Sequence, residues 1–517
     1  MIDQLDYVAS KADDVFAAAH DAALAYRASL NARPYRPEYD YRRMCDHFRE
    51  AVPEHGRIGA EVIKELADRA EPGLMSMAGP RFFGWVLGGS DPVGVAADWL
   101  VSAWGQNTGY HTPTPSTAAI EQVAAGWLTE ILELPPEVSV GFTTGATVAN
   151  MVALCAARSH VLRAHGWDAD ADGLFGAPEV HVFLGKDAHT SVFSALRFIG
   201  LGDERAVRVP TDGDGRMNPS DLADAMRARQ GPKIVVAQAG QINTGAFDLF
   251  PEIVEIGRAH EAWLHVDGAF GLWARATARY RHLTKGIEHA DSWVADGHKW
   301  LQVPFDCGYV FVRDCDAHRR AMTTGASYLP SASREDRVPS DFVPELSRRA
   351  RAVPTWAMIK ALGRSGIADL VERHCRIAAG IARTLAAEPG VEVLNDVVLN
   401  QIIVRFGGNL HGDSRSDALT SAVIEAVQAG GDCFVAGARW HGRWVMRISV
   451  ICGATTDEDG PRSCAAIIEA WRQVQSGNAS GGDRLPTEGG VRDTALRPVP
   501  SCRSRENGPA DPGGVAP

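Results

Sequence analysis

Six short apolar runs, separated by helical stretches, dominate the middle of the sequence between residues 143 and 312. The runs cover residues 180–184, 206–209, 234–237, 263–266, 292–295 and 309–312. Strand-like runs that alternate with helices form βαβ units, and their almost continuous apolar character indicates burial on both faces. The pattern therefore predicts a mostly parallel sheet with helices packed against both of its sides.

The segments on either side of this region have different patterns. Apolar residues at helical spacing fill the first 75 residues, whereas a long helix, further strands and another helix are expected after residue 354. Beyond residue 475 almost all residues are small or polar, which is typical of a disordered tail. In chain order, we expect an N-terminal helical segment (1–75), a large α/β domain (76–350), a small C-terminal α+β domain (351–475) and a disordered tail (476–517).

Charge and cysteine content narrow the classes of partner. The net charge of -12, from 64 acidic and 52 basic residues, argues against nucleic acid or an anionic membrane surface as a partner. No apolar run is long enough to predict a spanning helix, and the first ten residues lack the pattern of a signal peptide. Nine cysteines without a CxxC pair favour a reducing compartment, so we expect a cytoplasmic protein. The histidines and cysteines show no spacing typical of a metal site.

Two strand ends carry the residues with the most specific chemistry. Asp267 closes one apolar run, and Lys299 follows the next one, after Asp296 and His298. Asp296, at the end of that next run, is also a predicted cofactor residue. Both side chains are expected at the carboxyl edge of the sheet, where open α/β folds bind their ligands. An amine and a carboxylate in one pocket suit pyridoxal phosphate, with Lys299 bound to the aldehyde and Asp267 to the ring nitrogen. The alternative for either residue alone is a surface lysine or a carboxylate that caps a turn.

Two further segments complete a predicted cofactor pocket. Gly145, Ala146 and Thr147 lead into a helical run, so backbone N–H groups and a hydroxyl can bind a phosphate. His298 is a further phosphate donor in this interpretation, and a packed core histidine in the alternative one. His189 follows a strand and is expected to lie flat on the ring, with the small Ala269 under the opposite face; otherwise His189 is a helix-cap neighbour without a ligand.

These motifs together resemble a known family. The order TTGATVAN, KDAHTSV, NTGAFD, WLHVDGAFG, ADSWVADGHKWL and CGYVFVRD is similar to that of the group II pyridoxal-phosphate amino-acid decarboxylases, which include aromatic-L-amino-acid and glutamate decarboxylases. The resemblance implies fold type I, with a seven-stranded, mostly parallel sheet in the large domain. It also implies a homodimer with the site at the interface, cofactor attachment at Lys299, and cofactor contacts from Asp267, His189, Gly145, Ala146, Thr147 and His298.

The resemblance also places a mobile loop near residues 327–329. Its tyrosine would be Tyr328, a proton donor to the substrate carbon after carbon dioxide leaves. Family members with phenylalanine at this place tend to form aldehydes. The alternative for Tyr328 is an ordinary loop aromatic residue.

The chain departs from the family pattern at positions close to the substrate. Gln241 and Ile242 replace a threonine pair, and Asn243 or Thr244 is the expected substitute for the missing hydroxyl. These changes leave the cofactor chemistry intact and leave the identity of the substrate open.

Aromatic residues suggest an aromatic or bulky amino acid as the substrate. Phe82, Phe83, Trp104 and Tyr110 are the candidate wall, although the same residues are equally typical of a core or a dimer contact. No basic pair for an acidic substrate is evident, and Arg81 is the one candidate. The sequence leaves open an aminotransferase, an aldehyde-forming enzyme and a pyridoxal-phosphate-binding homologue without activity.

Overall fold

The computed structural model describes residues 2–323, 336–408 and 413–480. Helices come first in the chain: α1 (Ile2–Ser29), α2 (Tyr41–Phe48), α3 (Gly59–Ala70), α4 (Pro92–Trp104) and α5 (Pro115–Ile131). Helices α1, α2 and α3 lie within residues 1–75, and non-helical stretches separate them. Among the described residues, no helix combines the length and the apolar character that a membrane-crossing helix requires.

A seven-stranded sheet forms the centre of the molecule. In chain order its strands are β1 (Ser139–Thr143), β2 (His181–Gly185), β3 (Val207–Val209), β4 (Lys233–Gln238), β5 (Trp263–Asp267), β6 (Ser292–Asp296) and β7 (Gly308–Val312). Their spatial order is β1-β7-β6-β5-β4-β2-β3. Only β7 runs against its neighbours, since it pairs antiparallel with β1 and with β6, whereas the other pairs are parallel. The fold class is the predicted one, a mostly parallel α/β sheet.

Helices cover both faces of this sheet. Adjacent residues of β4 show the division, because Val235 packs into the core cluster on one face and Val236 into the cluster on the other, and both are buried. The first face is covered by α5, α9 (Pro219–Arg227), α10 (Phe250–Ala259) and α12 (Ala352–Ala386), and the second by α6 (Ala146–Ala164), α8 (Thr190–Phe198) and α11 (Cys315–Met322). The remaining helix of this region is the short α7 (Ala169–Asp172). Burial on both faces explains the continuous apolar runs in the sequence.

A second, four-stranded sheet lies in the C-terminal part. Its strands are β8 (Val391–Val393), β9 (Gln401–Phe406), β10 (Ala436–Trp440) and β11 (Arg443–Ser449), in the antiparallel order β10-β11-β9-β8. Helices α12, α13 (Asp413–Gly430) and α14 (Asp459–Ser480) pack against it. Helix α12 begins 15 residues before the predicted start at 367, with a kink at Gly363, where φ is 63°. Helix α14 continues to Ser480, five residues into the segment that was expected to be disordered.

Buried Gln302 connects the two sheets near the end of β6. Its side-chain oxygen accepts hydrogen bonds from the backbone N–H groups of Gly89 (2.7 Å) and Gly453 (2.8 Å). Its side-chain nitrogen donates to the carbonyl oxygens of Lys299 (3.0 Å) and Ile451 (2.8 Å). The turn that carries Lys299 is therefore held from both the N-terminal and the C-terminal part of the chain.

Candidate active site

The carboxyl ends of four strands meet at one edge of the large sheet. Asp267 is the last residue of β5 and Asp296 the last residue of β6, with Lys299 three residues further on. Strand β1 leads into the turn at Gly145, the N-cap of α6, and β2 leads to His189, the N-cap of α8. Parallel strands place these ends side by side, which is why residues far apart in sequence converge.

A cavity of about 280 Å³ lies at this edge. Nine of the predicted cofactor residues line it: Gly145, Ala146, Thr147, His189, Asp267, Ala269, Asp296, His298 and Lys299. The structure thus brings together the residues that the sequence motifs singled out for the cofactor.

The amine of Lys299 is paired inside this cavity. Its Nζ lies 3.0 Å from Oδ2 of Asp296, and the Lys299 side chain is 13% exposed. The other oxygen of Asp296 accepts a hydrogen bond of 2.7 Å from the backbone N–H of Ala146, in the first turn of α6. Asp296 therefore connects the lysine to the helix N-terminus, where a negative charge is favourable.

The carboxylate of Asp267 is buried and hydrogen-bonded. Oδ2 accepts from the side-chain nitrogen of Asn150 (3.3 Å), and Oδ1 accepts from the backbone N–H of Ala269 (3.3 Å). With 5% of the residue exposed, the carboxylate is held at the bottom of the cavity. A buried carboxylate in this position can bind a protonated ring nitrogen by a charge-assisted hydrogen bond.

His189 faces the same space with a neutral ring. Its Nδ1 lies 2.7 Å from Oγ of Ser191 and accepts the backbone N–H of Ser191 at 3.2 Å, so the ring proton belongs on Nε2. Burial lowers the pKa of His189, and the positive charges of Lys299 and Arg447 lower it further, against the opposing effect of Asp267. A neutral imidazole can lie against an aromatic ring without the cost of burying a charge.

The turn before α6 is shaped for close approach. A Cβ atom on Gly145 would lie 3.1 Å from Cε1 of His298, so a side chain there would fill the space between the turn and the histidine. Burial lowers the pKa of His298, whose Nδ1 accepts the backbone N–H of Cys307 at 3.4 Å. The N–H of Ala146 is taken by Asp296, so the other first-turn N–H groups and the histidine are the donor set that suits a phosphate.

These observations fit pyridoxal phosphate. The cavity has a lysine for the aldehyde, a carboxylate at the bottom for the ring nitrogen, and a small residue, Ala269, beside a neutral histidine. The glycine turn would be closed by any side chain at position 145. The aldehyde, the ring nitrogen and the phosphate of the cofactor thus each have a matching residue in the described chain.

Other predicted residues do not line this cavity. Phe82 (1% exposed) stacks on Phe434 with ring centroids 4.9 Å apart, and Phe83 (0%) packs into the core of the C-terminal part. Trp104 is 46% exposed at the end of α4, and Tyr110 is partly buried near the start of α5. A substrate contact for these four residues stays a prediction. Tyr328 lies outside the described residues.

Thr244 does not supply the expected hydroxyl to this cavity. Its Oγ1 donates to the carbonyl oxygen of Asp214 (2.7 Å) and accepts the N–H of Ala246 (3.2 Å), so the hydroxyl is already bound to backbone groups. Asn243 does not line the cavity either, and the side chain of Gln241 turns away to bind the carbonyl oxygen of Asp187 (3.2 Å). The cavity wall at this place is Ile242, so an apolar group replaces the expected polar one.

Three residues around the site were not predicted from the sequence. Asn150 binds Asp267, and His265 binds Asn150 in turn (2.8 Å). Arg447 on β11 is almost fully buried, and burial lowers its pKa to about 10. Its Nη2 donates to the carbonyl oxygen of Ile242 (2.6 Å), while its Nε has no hydrogen-bond partner among the described residues. A buried cation near His189 can bind the carboxylate of a substrate.

The signal for Arg447 was present in the sequence, as an arginine inside the apolar run WVMRISVIC.

Arg81 has a different role from the one considered for it, which was to bind an acidic substrate. It forms a buried ion pair with Asp459 (2.9 Å) and donates to the carbonyl oxygens of Asp432 and Asn31. Arg81 is therefore committed to the core and is not available to an acidic substrate.

Comparisons with known proteins agree with this geometry. The model of the pyridoxal-dependent decarboxylase conserved domain matches residues 39–406. The aromatic-L-amino-acid decarboxylase of Mus musculus is 26% identical over 87% of this chain and 93% of its own length. The phenylacetaldehyde synthase of Arabidopsis thaliana is 23% identical over 82% of this chain and 87% of its own length.

The fold is also shared with solved structures. A crystal structure of Oryza sativa TDC with PLP and tryptamine superposes with a TM-score of 0.83, at 23% identity, over 89% of this chain and 98% of that chain. At this level of identity the likeness establishes the fold, which is fold type I.

Proposed function

Because the chain belongs to the pyridoxal-dependent decarboxylase family, we propose that it removes the α-carboxylate of an L-amino acid and releases the amine. Its cofactor is pyridoxal 5'-phosphate. The proposed substrate has an aromatic or other bulky apolar side chain. The observation that carries the proposal is that Lys299, Asp267 and His189 line one cavity, although they come from three different strand ends.

Bound pyridoxal phosphate supplies a protonated ring that accepts the electron pair of the breaking bond. In our assignment Lys299 holds the cofactor through Nζ, and Asp267 holds the proton on the ring nitrogen. His189 would pack on one face of the ring, and the small Ala269 would leave room under the other. Gly145, Ala146, Thr147 and His298 bind the phosphate, with Asp296 next to them.

Orientation of the substrate decides which of its bonds breaks. Residues of this chain would have to hold the bond from Cα to the carboxylate in the orientation in which the bound cofactor can accept its electron pair. Arg447 supports this step as a second buried cation whose charge acts on His189, because it can hold the carboxylate before departure. Tyr328 then delivers a proton from its hydroxyl to Cα.

The preference for an apolar side chain rests on what lines the cavity. Ile242 and Phe270 are part of its wall, and Lys299 is the one Lys or Arg among the lining residues of the described chain. An acidic substrate side chain would need a second cation, and Arg81 is already paired with Asp459. An aromatic or bulky apolar group needs no such partner.

We also propose that the protein acts as a homodimer. Helix α4 follows a segment bound to the Lys299 turn, where the N–H of Gly88 donates to the carbonyl oxygen of His298 (3.0 Å). Trp99 and Trp104 of this helix are 43% and 46% exposed, and Phe305, which contacts the ring of His298, is 54% exposed. Exposed aromatic residues beside a cavity are typical of a surface that a second subunit covers.

Aldehyde formation is the second candidate reaction. It is favoured by the likeness to the Arabidopsis thaliana phenylacetaldehyde synthase. The two reactions share the cofactor and the loss of carbon dioxide. Aldehyde formation also consumes dioxygen, which is reduced to peroxide, and water, and it releases ammonia, so product analysis in air separates them.

The test is incubation of the purified protein with pyridoxal phosphate and single L-amino acids, followed by mass identification of the products. We expect an amine from tryptophan, tyrosine, phenylalanine or DOPA, and none from glutamate or aspartate. An aldehyde with ammonia and peroxide would support the second candidate. Turnover of acidic amino acids alone would contradict the proposed substrate class.

A further inference from the structure

A buried row of polar side chains runs from β5 and β6 to the bottom of the cavity. It consists of Trp263, Ser292, His265, Asn150 and Asp267, and each is less than 10% exposed. Consecutive members are in hydrogen-bond contact. None of the first four belongs to the cofactor contacts assigned above.

The chemistry of each group fixes the direction of its hydrogen bond. The indole of Trp263 can only donate, so Oγ of Ser292 accepts from it at 2.9 Å. The hydroxyl proton of Ser292 is then free to donate to Nδ1 of His265, which lies 2.9 Å away. His265 is fully buried, and this burial lowers its pKa to about 3, so its ring is neutral with the proton on Nε2.

That proton determines how the amide of Asn150 is oriented. Nε2 of His265 lies 2.8 Å from Oδ1 of Asn150 and donates to it. The amide nitrogen of Asn150 consequently faces the other way, toward Oδ2 of Asp267 at 3.3 Å. A flipped amide would place two acceptors, Oδ1 of Asn150 and Oδ2 of Asp267, against each other. Every donor in the row therefore points toward the carboxylate of Asp267.

The second N–H of the same amide leads to His189. The side-chain nitrogen of Asn150 lies 3.3 Å from Oγ of Ser191, which in turn lies 2.7 Å from Nδ1 of His189. Because Ser191 accepts from Asn150, its own proton is available to His189. One amide thus orients both the group assigned to the ring nitrogen and the group assigned to the ring face.

We propose that Asn150, oriented by His265, is a positioning residue that holds the Asp267 carboxylate and the His189 ring in their binding geometry for the cofactor. The inference rests on the proposed roles of Asp267 and His189. It predicts that loss of the Asn150 amide weakens the contact to the ring nitrogen in particular, while other cofactor contacts remain.

The experiment compares two cofactors on one protein. Apoprotein is titrated with pyridoxal phosphate and with its 1-deaza analogue, in which carbon replaces the ring nitrogen. Wild type should bind pyridoxal phosphate more tightly. In Asn150→Leu we expect roughly tenfold weaker binding of pyridoxal phosphate, the effect of one hydrogen bond to a charged group, and almost unchanged binding of the analogue. Asn150→Ala should give the same result. It removes the amide without adding the apolar side chain of leucine, so the two variants separate loss of the amide from a steric effect.

Two further variants test separately the hydrogen bonds that lead from Ser292 to Asn150 and those that lead from Asn150 to His189. Ser292→Ala removes the donor to His265 and should weaken pyridoxal phosphate binding by a smaller factor, roughly twofold to fivefold. Ser191→Ala leaves the Asn150 contact to Asp267 in place, so the difference between the two cofactors should persist. The absorption spectrum of the bound cofactor should shift in Asn150→Leu and stay unchanged in Asn400→Leu, the matched control described next.

The matched control is Asn400→Leu. Asn400 is also fully buried and also donates through its amide, to the carbonyl oxygen of Val450 at 2.9 Å, but it has no contact to Asp267. It should lower thermal stability without changing the ratio of the two affinities. Equal weakening of both cofactors by Asn150→Leu would overturn the proposal and leave Asn150 with a structural role.

Asp267→Asn separates failure of this inference from failure of the proposed function. If Asp267→Asn removes the preference for pyridoxal phosphate but Asn150→Leu keeps it, the positioning role is wrong and the assignment of Asp267 stands. If Asp267→Asn keeps the preference, the contact between Asp267 and the ring nitrogen is itself wrong.

Discussion

The cofactor end and the substrate end of the site differ in how much of them one chain builds. Nine predicted cofactor residues line a single cavity at the edge of the large sheet. Of the predicted substrate residues, Phe82 and Phe83 are core residues, Trp104 and Tyr110 are not among the residues that line the cavity, and Tyr328 is outside the described residues. The cofactor end is built from the carboxyl ends of strands in one rigid sheet. The substrate end depends on loops and, in our proposal, on a second subunit.

The largest expected effect is at the cofactor end. Asp267→Ala removes the carboxylate that holds the proton on the ring nitrogen, so the rate of decarboxylation should fall on the order of a thousandfold. Steady-state kinetics at saturating pyridoxal phosphate measure this. A rate loss of less than tenfold would mean that Asp267 does not activate the cofactor ring. The cofactor end would then lack the chemical role that distinguishes it from the substrate end.

Phe82 and Trp104 test the division between core and substrate wall. Phe82→Ala should lower the free energy of unfolding by about 3–5 kcal/mol, because it leaves a cavity against Phe434. Trp104→Ala should cost less than about 0.5 kcal/mol, since Trp104 is half-exposed, and should raise KM for an aromatic substrate. Denaturant unfolding measures the change in unfolding free energy of both variants, and steady-state kinetics measure the change in KM. The reverse pattern would place Phe82 in the substrate pocket.

Tyr328→Phe examines the substrate end directly. Without the phenol the proton is not delivered to Cα, so amine formation should fall roughly a hundredfold and aldehyde should appear. The affinity for pyridoxal phosphate should stay as in wild type, because the cofactor end is built by other residues. Unchanged amine yield would remove Tyr328 from the reaction.

Buried histidines give the cofactor end a pH dependence. Burial lowers the pKa of His265, His318 and His374 to about 3. The unfolded chain binds protons at these histidines below pH 6.5 and the folded chain does not, so stability is complete above pH 6.5 and is lost as pH falls toward 3. Each histidine contributes about 1.4 kcal/mol per pH unit in this window.

Asp248 opposes this dependence over part of the range, because burial raises its pKa to about 6. His265 is connected to Asp267 through Asn150, and His374 accepts the indole N–H of Trp300, the residue after Lys299 (2.9 Å). We therefore expect cofactor release and unfolding to occur together as the pH is lowered from 7 to 5. Thermal unfolding monitored by both protein fluorescence and cofactor absorbance checks this. A midpoint that does not change over that range would contradict it.

The sequence predicted the cofactor end because its signals are local. Strand ends such as Asp267 and Asp296 were placed within one residue of their observed positions, since apolar runs stop where polar residues begin. Strand β10 was missed, because Ala436–Trp440 is rich in small residues and lacks an apolar run. The turn at Thr244 was misjudged because the direction of a hydroxyl depends on a backbone partner, the carbonyl of Asp214.

The hydrogen-bonded row could not be predicted from the sequence at all. Asn150 reads as an ordinary helical residue, and His265 as a residue inside an apolar strand. Only the fold places them 2.8 Å apart, although 115 positions separate them in the chain. Polar groups that position other polar groups carry no sequence signal of their own, because their role follows from distant neighbours.

The most direct measurement of the central claim is chemical. Protein saturated with pyridoxal phosphate is reduced with borohydride, digested and mapped by mass spectrometry. We predict a pyridoxyl group on Nζ of Lys299 as the principal adduct, and its disappearance in Lys299→Arg. An adduct on another lysine, or none in protein that still decarboxylates amino acids, would contradict it.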